Sequence, residues 1–326
     1  MAFFTMRFDF RNPPLAATPM AERYAAALDM AVWAEKLGFL SVGLSEHHGS
    51  DDGYLPSPLV MAAALAARTT TIRIGVNAMV PSFHDPLRLA EDIAVVDLIS
   101  NGRFDITLTN GYVASEFEMF DRRRADRVRR TTEAVATLRQ AWTGEPFDFR
   151  GRPARITPTP AQPGGPRITM GGSSEGAARR AARIGDGFIP SSPELWDFYR
   201  DEALKLGKPD PGPGFHGDTS FFHLAHDTEK GWAAIAPYAM HETNAYGATM
   251  LEAGTSATGG YQMASDADAL RATGQYRVIT PEQMVTELAA QGDFAFALFH
   301  PMMGGIPPAL AWESLELFER EVLPAL

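Results

Sequence analysis

The 326-residue chain contains no cysteine. That excludes a disulfide framework, a thiolate nucleophile and any zinc or iron–sulfur centre held by cysteine, and it fits a reducing compartment. Basic charge is scarce too. With 29 Lys and Arg against 40 Asp and Glu, the formal net charge is −11, so no basic field is available to offset the phosphates of a nucleic acid. Long apolar runs are also missing: the small-apolar stretch from Leu59 to Ala67 stops at Arg68, about half of what a bilayer span requires. The N-terminal stretch alternates Met6, Phe8 and Phe10 around Arg7 and Asp9, which is a strand pattern rather than a signal peptide. The expectation is a soluble cytoplasmic protein with no membrane partner.

What is present is 45% hydrophobic residues, ample for a sizeable core, arranged in a repeating order. Residues 3–10 read as a strand. Thr18-Pro19 offers an N-cap and a helix-starting proline, and the stripe Tyr24, Ala27, Leu28 and Ala31 closes at Gly38. Strands follow at 39–44, 72–76, 104–109, 167–171, 188–189, 219–224 and 294–300. Between them lie helical periods at 57–67, 87–99, 125–142, 174–184, 193–206 and 281–291, and a last helix buries Ala311, Leu315, Phe318 and Val322. Eight β-then-α units imply an α/β protein with a parallel sheet, and favour a closed (β/α)8 TIM barrel over an open doubly wound sheet. The chain is read as one domain over 1–326. Two stretches break its rhythm, an excursion at 145–166 before the fifth strand and a lid-like insertion at 240–278 after the seventh; 207–217 is likewise poor in apolar periodicity.

In a barrel the chemistry sits at the carboxyl ends of the strands. Six of the eight histidines fall there or on the loops that follow: His47, His48, His84, His223, His226 and His300. His47-His48 suits general acid–base work, metal ligation or a polar pair satisfied by loop backbone. No metal site is predicted, because the first strand ends in Asp9-Phe10-Arg11 without an H-x-H, and His223 and His226 would point to opposite faces. Gly171-Gly172-Ser173-Ser174 opens a helix and reads either as an anion cradle or as an ordinary tight capping turn. The arginines at 122–124, 127, 129 and 130 are either a solvated face or, through Arg127, a phosphate contact.

Three stretches in this order resemble the luciferase-like flavin-dependent monooxygenases of the bacterial luciferase superfamily. They are Gly38-Phe39 through Glu46-His47-His48; Pro86 through Glu91-Asp92, Asp97, Ser100, Gly102-Arg103-Phe104, Gly111-Tyr112 and Glu116-Phe117; and Gly171 to Ser174 with Ala181-Ala182 and Asp186-Gly187-Phe188. The resemblance continues to Gly304-Gly305 and Val322-Leu323-Pro324.

The resemblance implies a TIM barrel that uses reduced FMN, delivered by a separate flavin reductase, with O2 on a small organic substrate. It maps the catalytic histidine onto His47 and a non-proline cis peptide onto Asn77-Ala78. Thr109 falls beside the flavin ring, and Ser173 and Ser174, with backbone from Gly171 and Gly172, hold the phosphate. Asn110 stands where bacterial luciferase has an arginine near that phosphate, leaving the role to Arg127 and the helix terminus; Tyr112 follows on the same loop. Met79, Phe83, Tyr112, Met302 and Met303 are candidates for an apolar cavity, and core packing is the competing reading. The family implies a homodimer. A deazaflavin coenzyme used for hydride transfer, and a non-catalytic flavin-binding protein, are the alternatives.

Overall fold

A computed structural model describes residues 2–214, 220–254 and 263–326. In chain order the strands are β1 (Ala2–Phe8), β2 (Ser41–Leu44), β3 (Arg73–Met79), β4 (Phe104–Leu108), β5 (Phe147–Phe149), β6 (Arg152–Ala154), β7 (Ile168–Gly172), β8 (Gly187–Pro190), β9 (Phe221–Leu224), β10 (Tyr276–Ile279) and β11 (Ala295–Phe299). The helices are α1 (Met20–Lys36), α2 (Pro58–Arg68), α3 (Pro86–Ser100), α4 (Ala114–Met119), α5 (Arg127–Ala141), α6 (Glu175–Ile184), α7 (Leu195–Lys205), α8 (Thr228–Glu252), α9 (Ala267–Ala272), α10 (Pro281–Ala290) and α11 (Pro308–Leu317). The alternation expected of an α/β fold is therefore present. The residues form two compact units, one of 1–43, 47–56 and 217–326, the other of 44–46 and 57–216.

In the first unit β1 lies between β11 and β2, and β9 pairs with β10. Both the β1–β11 and β9–β10 ladders are parallel, with Met6 opposite Phe299 and His223 opposite Val278. Parallel strands buried on both faces demand apolar side chains throughout. Phe4, Phe39, Phe299 and Phe318 meet that demand as an aromatic core, with ring centroids 4.8–6.1 Å apart. Arg23 on α1 is fully buried as well. Its Nη2 donates to the Gly305 and Ile306 carbonyls at 2.7 and 3.0 Å, so the guanidinium satisfies backbone that would otherwise be orphaned.

In the second unit β3, β4, β7 and β8 run side by side, all pairs parallel. The motif Gly102-Arg103-Phe104 acquires a physical role here. Arg103 donates from Nε to Ser100 O, from Nη1 to Ile72 O and Thr69 Oγ1, and from Nη2 to Ala66 O and Thr69 O, at 2.6–3.0 Å. One side chain thereby ties the carboxyl ends of α2 and α3 to the approach to β3. Asp97 accepts from Gln162 N and Nε2 at 2.8 and 2.7 Å, anchoring the stretch that carries the antiparallel β5–β6 pair.

Local readings shift in two places. Thr18 does not cap α1: its hydroxyl donates to Ala16 O at 3.1 Å, and Pro19 precedes the first helical residue. The 240–278 stretch contains more regular structure than its composition suggested. Its first part belongs to α8, which runs through Pro237 to Glu252, and α9 and β10 follow; residues 255–262 lie outside the described residues. No helix among the described residues is long and apolar enough to cross a membrane.

Candidate active site

Register aligns one edge of the second unit's sheet. Asn77 stands opposite Thr107, and Thr107 opposite Thr169. Ala78, Gly171 and Gly172 are consequently in the last residues of neighbouring strands, and Thr109, Asn110, Ser173 and Ser174 just beyond them. The Asn77–Ala78 peptide is cis. Thr107 Oγ1 donates to Asn77 Oδ1 at 2.6 Å and Ser45 Oγ to the Asn77 carbonyl at 2.9 Å. Glu46, only 3% exposed, accepts the Val80 amide at 2.6 Å and pairs with His84 Nε2 at 2.7 Å. A buried carboxylate at a strand end thus fixes the turn that follows β3, a positioning role the sequence reading did not assign to Glu46.

The glycines of the 171–174 turn are needed for packing whatever else they do. A Cβ on Gly171 would come within 2.6 Å of Thr109 Cγ2, and one on Gly172 within 2.4 Å of Ala177 Cβ. Ser174 caps α6, accepting the Ala177 amide at 3.3 Å, while Ser173 and Ser174 are both exposed. Hydroxyls at a helix amino terminus, where about half a positive charge resides, form an arrangement that accepts an anion. Asn110 Oδ1 is buried without a hydrogen-bond partner, an acceptor that lacks a donor. Gly111 follows at φ +74°. The Tyr112 carbonyl accepts Arg124 Nη1 at 3.4 Å, and Arg127 Nη1 donates to Arg124 O at 3.0 Å. Arg127 is thus held at the start of α5; burial chiefly, then the charges of Arg183 and Arg127, lower the pKa of Arg180 on α6. Of the apolar cavity candidates, Met79, Phe83, Met302 and Met303 are buried, and Phe83 stacks on Phe120 and meets Phe117 edge-on.

In the first unit, His47 is half-buried. Its amide donates to Leu55 O at 3.2 Å, and its ring stands edge-on to Tyr54 with centroids 4.8 Å apart. Tyr54 and Tyr246 share a hydroxyl contact of 2.9 Å. The Arg11 guanidinium lies over both rings, 4.8 and 4.6 Å from the two centroids, and pairs with Asp52 through a hydrogen bond. Burial alone would pull Arg11 down, but Tyr246, Asp52 and Asp9 outweigh it and hold the guanidinium above its ordinary range. Asp52 moves the other way: despite burial, hydrogen bonding from His241 and the charge of Arg11 keep it well below the usual carboxylate range.

A second cluster adjoins Asp9. Asp9 and His300 follow the adjacent strands β1 and β11, Glu242 comes from α8, and ligand atoms of the three lie within 4.8 Å of one another, all buried. Arg7 Nε donates to His300 Nδ1 at 3.2 Å, so the imidazole proton belongs on Nε2, 3.3 Å from Asp9 Oδ2. Glu242 Oε2 accepts the Tyr276 hydroxyl at 2.8 Å. Despite burial, His300 and Arg11 lower the Asp9 pKa. Arg7 supplies this cluster with a cation of its own. His226, by contrast, is exposed beside Glu321 and His223 is buried, so they form no chelating pair.

A family model for luciferase-like monooxygenases matches residues 1–295. The F420-dependent glucose-6-phosphate dehydrogenase of Amycolatopsis mediterranei (strain U-32) is 31% identical over 193 residues, 56% of this chain and 57% of that protein. The chain thus spans a little over half of that relative's length. The enzyme of the same name from Microbacterium testaceum (strain StLB037) is 26% identical over 328 residues, 92% of each. Among solved structures, the oxygenating constituent of 3,6-diketocamphane monooxygenase from Pseudomonas putida, in complex with FMN, superposes with a TM-score of 0.73 at 19% identity, covering 99% of this chain and 98% of that one. That likeness is one of fold.

Proposed function

Because the chain belongs to the luciferase-like monooxygenase family, we propose that this enzyme is a single-domain (β/α)8 barrel that uses reduced FMN and O2 to oxygenate a small organic substrate. The observation that carries the reading is the strand edge at Asn77–Ala78, Thr109–Asn110 and Gly171–Ser174, where an unpartnered amide oxygen, two exposed hydroxyls and a helix amino terminus follow neighbouring strand ends. The donor set suits an anionic flavin: Ser173, Ser174 and the first amides of α6 would hold the phosphate, and Arg127 would add positive charge, with the unpartnered Asn110 Oδ1 an acceptor on the neighbouring strand end. When bound, the reduced flavin supplies the electrons for oxygen chemistry. His47 would hold or move a proton through one imidazole nitrogen, and residues of the 240–278 stretch would exclude water.

A separate flavin reductase would deliver the cofactor. A second copy of the chain would cover α2 and α3, where Val60, Val95, Leu98 and Ile99 are exposed by 73, 44, 42 and 44%. The second reading is hydride transfer with a deazaflavin, favoured by the full-length likeness to the Microbacterium dehydrogenase. Anaerobic titration with reduced FMN and with reduced deazaflavin, followed by oxygen uptake, separates the two. Tight reduced-FMN binding with oxygen consumed in step with product supports the monooxygenase. Deazaflavin binding without oxygen uptake replaces it, and oxidised-flavin binding with no turnover would make the protein a carrier.

A further inference from the structure

We infer that Arg11, locked by Asp52 and His241, is a positioning residue that fixes the imidazole of His47. The inference rests on the reading of His47 as the proton-handling group. The ends of the loop 47–55 are tied together: the His47 amide donates to Leu55 O at 3.2 Å, and the Leu55 amide donates to Asp9 O at 3.0 Å. Between those ends Asp52 is a hub. It accepts from the Tyr54 amide at 3.3 Å, from Ser50 Oγ, from Arg11 Nη1 and from His241 Nε2 at 2.7 Å, while its own carbonyl takes the Asn12 amide at 2.6 Å. Arg11 and Asp52 side chains are 5 and 6% exposed.

An ion pair buried to that degree is a poor way to gain stability, because desolvation offsets most of the attraction; holding geometry is the better-attested use of such pairs. The geometry held here is that of Tyr54. Its ring is pressed on one side by the Arg11 guanidinium, its hydroxyl is fixed by Tyr246, and it stands at 85° to the His47 ring. A loosened Arg11 releases Tyr54, and a loosened Tyr54 lets the imidazole rotate away from its working direction. Arg11 acts through Tyr54, so its effect falls on turnover rather than on cofactor affinity.

The test uses full-length Asp52→Asn, which keeps the shape of the side chain and removes its charge. One readout is the ring carbon–proton NMR signal of His47, assigned by its loss in His47→Gln. The other is turnover with whichever reduced cofactor the protein binds. The expected result is a shifted or exchange-broadened His47 signal, kcat lower by about 10- to 100-fold and a cofactor dissociation constant unchanged within about twofold. Should Asp52→Asn not fold, His241→Gln removes one lock at a site where the side chain is 25% exposed, and the same signals are read. A folded variant with an unmoved His47 signal overturns the inference. A moved signal together with full turnover in His47→Ala upholds the positioning and overturns the proton-handling reading, so the two failures are distinguishable.

Discussion

His223 sits in β9, 3% exposed, and burial pushes its imidazole down to about 4 from an ordinary 6.5. A folded-state pKa below the unfolded one means that the unfolded chain takes up a proton the folded chain refuses. Stability from this residue is therefore intact above about pH 6.5 and declines as pH falls toward 4. With 1.36 kcal/mol for each pKa unit, the loss is about 2 kcal/mol at pH 5 and about 3 kcal/mol at pH 4. His223→Gln retains a neutral polar side chain and cannot titrate. Chemical unfolding followed by tryptophan fluorescence at pH 7.5, 6, 5 and 4, for both proteins, gives the stability difference at each pH. Relative to pH 7.5, the variant gains on the parent by those amounts, because every other titrating group cancels in the comparison. A difference that stays flat within about 0.5 kcal/mol from pH 7.5 to 4 refutes the reasoning.

His47→Ala retains reduced-cofactor binding and loses at least about 100-fold in product formed per reduced cofactor consumed; unchanged coupling removes His47 from the mechanism. Ser174→Ala costs about 1 kcal/mol of stability through the lost α6 cap, and weakens FMN about tenfold in fluorescence titration while leaving riboflavin, which has no phosphate, unaffected; equal weakening of both ligands separates the turn from the phosphate. Arg103→Leu lowers the unfolding free energy by about 3 kcal/mol, since several backbone carbonyls lose their donor, and Arg103→Lys recovers only part of it; a denaturation midpoint equal to that of the parent would show the carbonyls to be served by water.

Much of the architecture could be read in the sequence because its elements keep strict periods. The strand around Val76 and the helix over Leu89, Ile93 and Val96 alternate or recur at the spacing their burial requires. The amino-terminal part of the insertion was missed because α8 carries a proline, a glycine pair's worth of breaks at Gly231 and Gly247, and little apolar contrast, so a 25-residue helix looked irregular. The placement of Asn77, Thr109, Asn110 and the 171–174 turn at strand ends was legible, since each sits at the end of a short apolar run. The Asp9, Glu242 and His300 cluster was not, because its members lie far apart in the chain and only strand pairing and the docking of α8 unite them. Arg11 and Asp52 left a faint sign: each is a charge that interrupts an otherwise apolar or turn-forming stretch close to a strand end, but nothing in the spacing joins one to the other.

Within the first unit, α8 presents His241 to Asp52, Glu242 to Tyr276 and Tyr246 to Tyr54. The Met303–Gly305 turn is packed so tightly against the same helix that a Cβ on Gly304 would meet the Tyr238 carbonyl at 2.3 Å. Sliding this helix along its axis by a single turn, about 5.4 Å, would break every one of those contacts together. α8 is thus keyed to one axial position: the same few side chains that hold the 47–55 loop and β10 also fix where the helix sits along its own axis.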